Sequence, residues 1–100
     1  MSLPFKLTEE AKKDVSEAFT FYESEQAGLG VYFLTQLDTC LNSISENPLK
    51  YPNKRGNFKE ALIHKFPFLV VFEPVEGNLL VYAVFHTSKN PKKKFRKKKN

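Results

Sequence analysis

Hydrophobic positions along the chain follow one period up to the middle and another after it. Behind Thr8, residues Ala11, Val15, Ala18, Phe19 and Tyr22 recur at helical spacing, with Lys12, Lys13, Ser16 and Glu17 on the other face. Thr8 suits a helix N-cap, and Glu9 and Glu10 fall in the first turn, where the helix dipole favours acids. Gly28 and Gly30 interrupt the pattern, which resumes with Phe33, Leu34, Leu37, Leu41 and Ile44. Pro48 and Pro52 bar its continuation beyond Asn47. These signals predict two amphipathic helices, folded as a hairpin about a joint between Ser24 and Gly30. Pro4 to Leu7, ahead of the cap, reads as a short edge strand.

After the loop "NPLKYPNKRGN" the residues change to Val, Phe, Leu and Tyr in short runs. Phe58 to His64, Phe68 to Glu73 and Leu79 to His86 are predicted strands. The last two join through "EPVEGN", whose Gly77 and Asn78 suit a tight turn. Both are apolar on successive positions rather than alternating, as expected of central strands covered on both faces or by helices. The predicted fold class is α+β: a short N-terminal strand and a two-helix antiparallel hairpin packed on an antiparallel sheet. No internal repeat or linker divides the chain, so residues 1–88 are expected to form a single domain and 89–100 a basic C-terminal tail.

Charge sharpens that division. From Lys89 onward there are eight Lys and Arg and no acid, which leaves Met1 to Ser88 with eight basic and eleven acidic residues, a net −3. A basic block on a mildly acidic body points to phosphates or an acidic partner. The single cysteine, Cys40, excludes an internal disulfide, and its neighbours Leu37, Leu41 and Ile44 make it a small core residue. No signal-peptide core opens the chain, and no apolar run approaches the ~20 residues needed to span a bilayer. The expected compartment is the cytoplasm. Phosphate-binding loops, paired Cys/His spacings, the nucleophile elbow and the dinucleotide fingerprint are absent from the sequence, so neither a metal nor a cofactor is expected.

The run "ALIHKFPFLVVFEPVEGNLLVYAVFHTSKNP" resembles the C-terminal half of the RelE/ParE toxin superfamily of bacterial toxin–antitoxin pairs, also called plasmid-stabilisation proteins. The features that carry it are Lys65 before "FPF" (Phe66, Pro67, Phe68), the Glu76-Gly77 hairpin, Val84 and His86 at the end of the last strand, and Lys89 and Pro91 just after. The order of predicted elements matches that family too. The chain departs from many members in having no Trp, in placing three lysines between Pro91 and Phe95-Arg96, and in having Tyr82 as its last tyrosine.

The resemblance implies a cognate antitoxin as partner, in a toxin–antitoxin hetero-oligomer. It also implies one of two targets: mRNA on the ribosome, cleaved by a metal-independent endoribonuclease, or DNA gyrase, inhibited by binding. Either would arrest growth. An exposed sheet edge and apolar grooves beside the helical hairpin are suited to an added strand or helix from the antitoxin. A non-enzymatic nucleic-acid-binding module and an inactive toxin-like scaffold are the alternatives.

Cutting RNA through its own 2′-hydroxyl needs a base, an acid for the leaving oxygen and cations for the developing phosphorane. His86 is the candidate proton-exchanging group, and Arg96 the candidate that steadies charge. Arg55, Lys59, Lys65, Lys89, Lys92, Lys93 and Lys94 are candidate phosphate contacts. Each has a plainer alternative. His86 can hydrogen-bond a loop carbonyl, His64 can be a solvated strand residue, Arg55 a solvated loop residue, and Lys59 and Lys65 exposed strand residues. Glu60 and Glu73 are expected to be structural.

Overall fold

The computed structural model describes residues 3–88. Strand β1 (Phe5–Leu7) leads into helix α1 (Glu9–Glu25), and helix α2 (Leu29–Glu46) returns beside it. A single 3-10 turn at Pro48–Lys50 precedes β2 (Asn53–Arg55), β3 (Phe58–Leu62), β4 (Phe68–Val75) and β5 (Asn78–His86). The five strands form one sheet in the order β1-β5-β4-β3-β2, with the hairpin packed on one face. The α+β expectation holds.

Thr8 caps α1 as its sequence position predicts, its hydroxyl accepting from the Ala11 N–H at 3.1 Å. The joint is tighter than expected, because α1 continues to Glu25 and α2 already starts at Leu29. Glu23 makes this possible. Its carboxylate accepts the N–H groups of Gly28 and Gly30, each at 2.8 Å, and so fills donors that the start of α2 would leave unpaired. These bonds, Gly28 first, hold the Glu23 carboxyl below its ordinary value. Gly30 is also where the helices touch. A Cβ there would lie 2.8 Å from the Phe19 carbonyl oxygen and from the Phe19 ring.

Two features of the sheet differ from the sequence expectation. It is mixed, since β1 runs parallel to β5, pairing Phe5 with Leu79 and Leu7 with Val81. The hairpin carries the chain from β1 to β2 at the opposite edge of the sheet, and the antiparallel meander brings it back until β5 lies beside β1 in the same direction. Second, β2 lies inside the segment read as loop. Its three residues, Asn-Lys-Arg, are all exposed and carry no periodic signal. The β4–β5 turn is centred on Glu76 and Gly77, both at positive φ (49° and 79°) as a two-residue primed turn requires, and Asn78 opens β5.

The core lies between hairpin and sheet. Phe33, Leu37, Leu41 and Ile44 of α2 and Ala11 and Ala18 of α1 face Ala61, Ile63, Val70, Phe72, Leu79, Val81 and Val84. Strand β5 carries a bulge. Val71 pairs with Ala83 and Phe72 with Val81, leaving Tyr82 as the extra residue. The first turns of α1 satisfy the backbone thereby freed: the Thr8 hydroxyl donates to the Tyr82 carbonyl at 3.2 Å, and the Asp14 carboxylate accepts the Val84 N–H at 3.0 Å.

Candidate functional site

The end of the sheet where β5 finishes brings together part of the predicted set. His86 pairs with Phe68 across β4, and its ring stands edge-on to the Phe68 ring, centroids 5.3 Å apart. The Thr87 N–H donates to the Pro67 carbonyl at 2.8 Å, which fixes the β3–β4 turn against the end of β5. Inside that turn Lys65 is exposed at φ 75°, a left-handed conformation that a side chain adopts at a cost of about 1–2 kcal/mol. Phe66 supplies the compensation. It is buried, with its ring 4.9 Å from Tyr22, 5.5 Å from Tyr32 and 5.2 Å from Phe33. An aromatic series therefore runs from the helical hairpin through Phe66 and Phe68 to His86 at the rim. Burial raises the Tyr22 phenol above its ordinary value.

Ser88 decides what the His86 ring can do. Its backbone N–H donates to Nδ1 at 3.1 Å, and its hydroxyl lies 3.0 Å from the same nitrogen. A nitrogen that accepts a backbone N–H carries no hydrogen, so the neutral ring bears its proton on Nε2. The lone pair that a general base would use is already engaged. Arranged in this way, His86 is suited to donating a hydrogen bond through Nε2. Nothing in the sequence beyond the proximity of Ser88 announced this contact, and in place of the loop-carbonyl bond weighed as the plainer alternative, Nδ1 accepts from Ser88.

Other candidates fall elsewhere. Arg55 sits at the tip of the β2–β3 turn, paired with Phe58, at the opposite end of the sheet. Three strand spacings and about five residues of strand length separate it from His86, roughly 20 Å. It does not join the site. Lys59 is neither an exposed strand residue nor placed for a phosphate. It is buried on the helix face, and its ammonium donates to the Tyr51 carbonyl at 2.6 Å, the partner a buried charge requires. Lys89, Lys92, Lys93, Lys94 and Arg96 lie outside the described residues. Glu73 accepts the Tyr82 hydroxyl at 2.9 Å, a structural bond that, after burial itself, helps to raise the Tyr82 phenol.

His64 lies exposed beyond β3 and lines a second feature, a cleft of about 200 Å³ between α2 and the end of β3. Gln36, Thr39, Cys40, Ser43, Tyr51 and Leu62 line the remainder. Cys40 packs against the core margin as expected, and burial pushes its thiol up to about 11, so it is a poor nucleophile. Among the described residues no group of three or more His, Cys, Asp or Glu is placed to hold a metal ion. No helix among them is long and apolar enough to cross a membrane.

The family profile described as "ParE toxin of type II toxin-antitoxin system, parDE" matches residues 5–91, nearly the whole chain. The chain belongs to the ParE toxin family. Among solved structures, a chain described as "Chromosomal ParDE TA system from P. aeruginosa" superposes with a TM-score of 0.74 at 10% sequence identity. That match covers 85% of this chain and 96% of the other, and it shows a shared fold. No curated protein matches the sequence significantly. As a ParE toxin the chain is one component of a type II toxin–antitoxin system, and membership implies an antitoxin partner. Of the features that carried the resemblance, the "FPF" entry is the turn that packs Phe66 into the core, and Val84, in the core, precedes His86 by two residues at the end of β5.

Proposed function

We propose that this toxin arrests growth by binding and inhibiting DNA gyrase in the cytoplasm, without cleaving mRNA. The observation that supports this reading is the Nδ1 lone pair of His86, which is occupied by the Ser88 N–H and leaves Nε2–H as a donor. On this reading His86 and Lys65 contact the target by hydrogen bonding and charge, and the cations from Lys89 through Lys94, with Arg96, speed encounter with an anionic complex.

Glutamine in place of His86 keeps an N–H donor and cannot titrate, so it separates the roles. Induced His86→Gln is expected to arrest growth, whereas His86→Ala is expected to weaken arrest. Purified wild-type protein is expected to inhibit gyrase supercoiling, and primer extension after induction is expected to show no new cuts in mRNA. Codon-position cuts that vanish in His86→Gln, with supercoiling untouched, would sink the proposal in favour of an mRNA interferase.

The antitoxin is expected to cover exposed apolar side chains on the hairpin. Phe21, Val31 and Leu34 lie 50%, 56% and 37% exposed there, a surface suited to an amphipathic partner helix. Co-expression with an adjoining short reading frame is expected to yield a complex that survives purification. Arginine at Val31 and Leu34 together should abolish it.

A further inference from the structure

Among the described residues two side chains other than glycine stand at positive φ, Lys65 at 75° and Glu76 at 49°. They lie at opposite ends of the sheet, Lys65 before β4 and Glu76 after it. At Glu76 the primed hairpin turn demands this conformation. At Lys65 the Phe66 N–H reaches the Ile63 carbonyl at 3.4 Å, closing a four-residue turn in which Lys65 is the third residue. That is where a type II turn takes positive φ and where glycine is usual. A lysine there has no local compensation. It is exposed, and its ammonium makes no hydrogen bond or ion pair among the described residues.

The backbone on the far side of Lys65 is fastened in several places. The Phe66 ring is held among Tyr22, Tyr32 and Phe33 of the hairpin. The Phe68 N–H donates to the Phe66 carbonyl at 2.8 Å, the Ile63 N–H to the Phe68 carbonyl at 2.9 Å, and the Thr87 N–H to the Pro67 carbonyl at 2.8 Å. Each of these fixes the main chain, and none restrains the ammonium. We propose that this turn presets Lys65 as a target-contacting cation at the His86 end of the sheet, with Phe66 as its positioning residue. Stability is given up for that contact. Strain of this kind persists only where the surroundings over-determine it, and it gathers at working sites. The contact rests on the reading of the chain as an active toxin and holds whether the target is gyrase or mRNA.

The test reads denaturation midpoint and growth arrest on the same full-length variants. Lys65→Gly is expected to raise the midpoint above wild type and to weaken arrest by about tenfold or more, the loss of one hydrogen bond to a charged group. Lys65→Ala keeps the strain, so it is expected to match that loss of arrest without the gain in midpoint. Lys65→Arg is expected to keep both wild-type values. Glu76→Gly, at the other end of the sheet, is expected to raise the midpoint and leave arrest unchanged. In Phe66→Leu, NMR is expected to show a lengthening of the short intraresidue amide–Hα distance that marks positive φ at Lys65, with arrest weakened although the lysine remains. Wild-type arrest in Lys65→Ala would overturn the contact, and a Lys65→Gly midpoint no higher than that of Lys65→Ala would overturn the strain. Full arrest in a folded Phe66→Leu would remove Phe66 from its role. Because arrest is read without naming the target, a wild type that leaves gyrase uninhibited would sink the gyrase reading alone.

Discussion

The two faces of the sheet are built from the same three strands and similar side chains, yet only one is a core. On the helix side Phe72 and Val70 are fully buried and interlock with Phe33 and Ile44, a packing that tolerates little change of volume. On the other side Leu62 is 65% exposed, and Tyr82 turns its hydroxyl to Glu73. Apolar residues at successive positions in β4 and β5 do not tell these faces apart. What separates them is the hairpin, which can cover one face only.

Substitutions test that difference in decreasing order of effect. Phe72→Ala removes a fully buried ring and is expected to cost about 3–5 kcal/mol of unfolding free energy in denaturant titration. A loss below about 1 kcal/mol would mean that the hairpin side is not the tighter face. Gly30→Ala puts a Cβ against the Phe19 carbonyl, a backbone group that cannot swing aside, and is expected to cost about 1–3 kcal/mol. Leu62→Ser, on the open side, is expected to stay within about 0.5 kcal/mol.

The smallest effect is titratable. The folded Glu23 carboxyl lies below its ordinary value of 4.5, so its contribution to stability is present above that value and is lost as pH falls through the lowered one. Glu23→Gln should therefore be less stable than wild type near neutral pH, with the gap closing under acid. A gap that persists unchanged at low pH would show that the carboxylate's charge is not what closes the joint.

Much of the helix side was legible because its signals are local. Thr8 announced the cap, the 3.6-residue recurrence announced both helices, and Gly77 announced the hairpin, whose centre lies at Glu76-Gly77 where Gly77-Asn78 was expected. The sheet was legible in its three longer strands and in the presence of β1 at an edge. Three exposed polar residues in β2 carry no pattern, and the direction of β1 depends on a partner far away in the chain. Lys59 was misjudged because charge argues for the surface, and only the Tyr51 carbonyl within reach makes its burial tolerable. Of the candidate residues, His86 and Lys65 fall at one end of the sheet, where β5 finishes and the β3–β4 turn lies. Arg55 falls at the other end, where the short β2–β3 turn carries it. The Ser88 contact needed coordinates, since two residues of spacing do not fix a ring nitrogen.

The parallel pairing of β1 with β5 has a kinetic side. Phe5 meets Leu79 and Leu7 meets Val81, so closing this edge brings together points 74 residues apart, as the Thr8–Tyr82 bond does. Closing a loop of that length costs about 4 kcal/mol in chain entropy before any contact rewards it. The hairpin and the β3–β4–β5 meander close over short distances and can assemble first, with β1 docking last. During synthesis that final step waits until residue 81 has emerged. A growing chain of this toxin thus carries its first strand unpaired for most of translation, an interval in which a partner that recognises the finished sheet has nothing complete to bind.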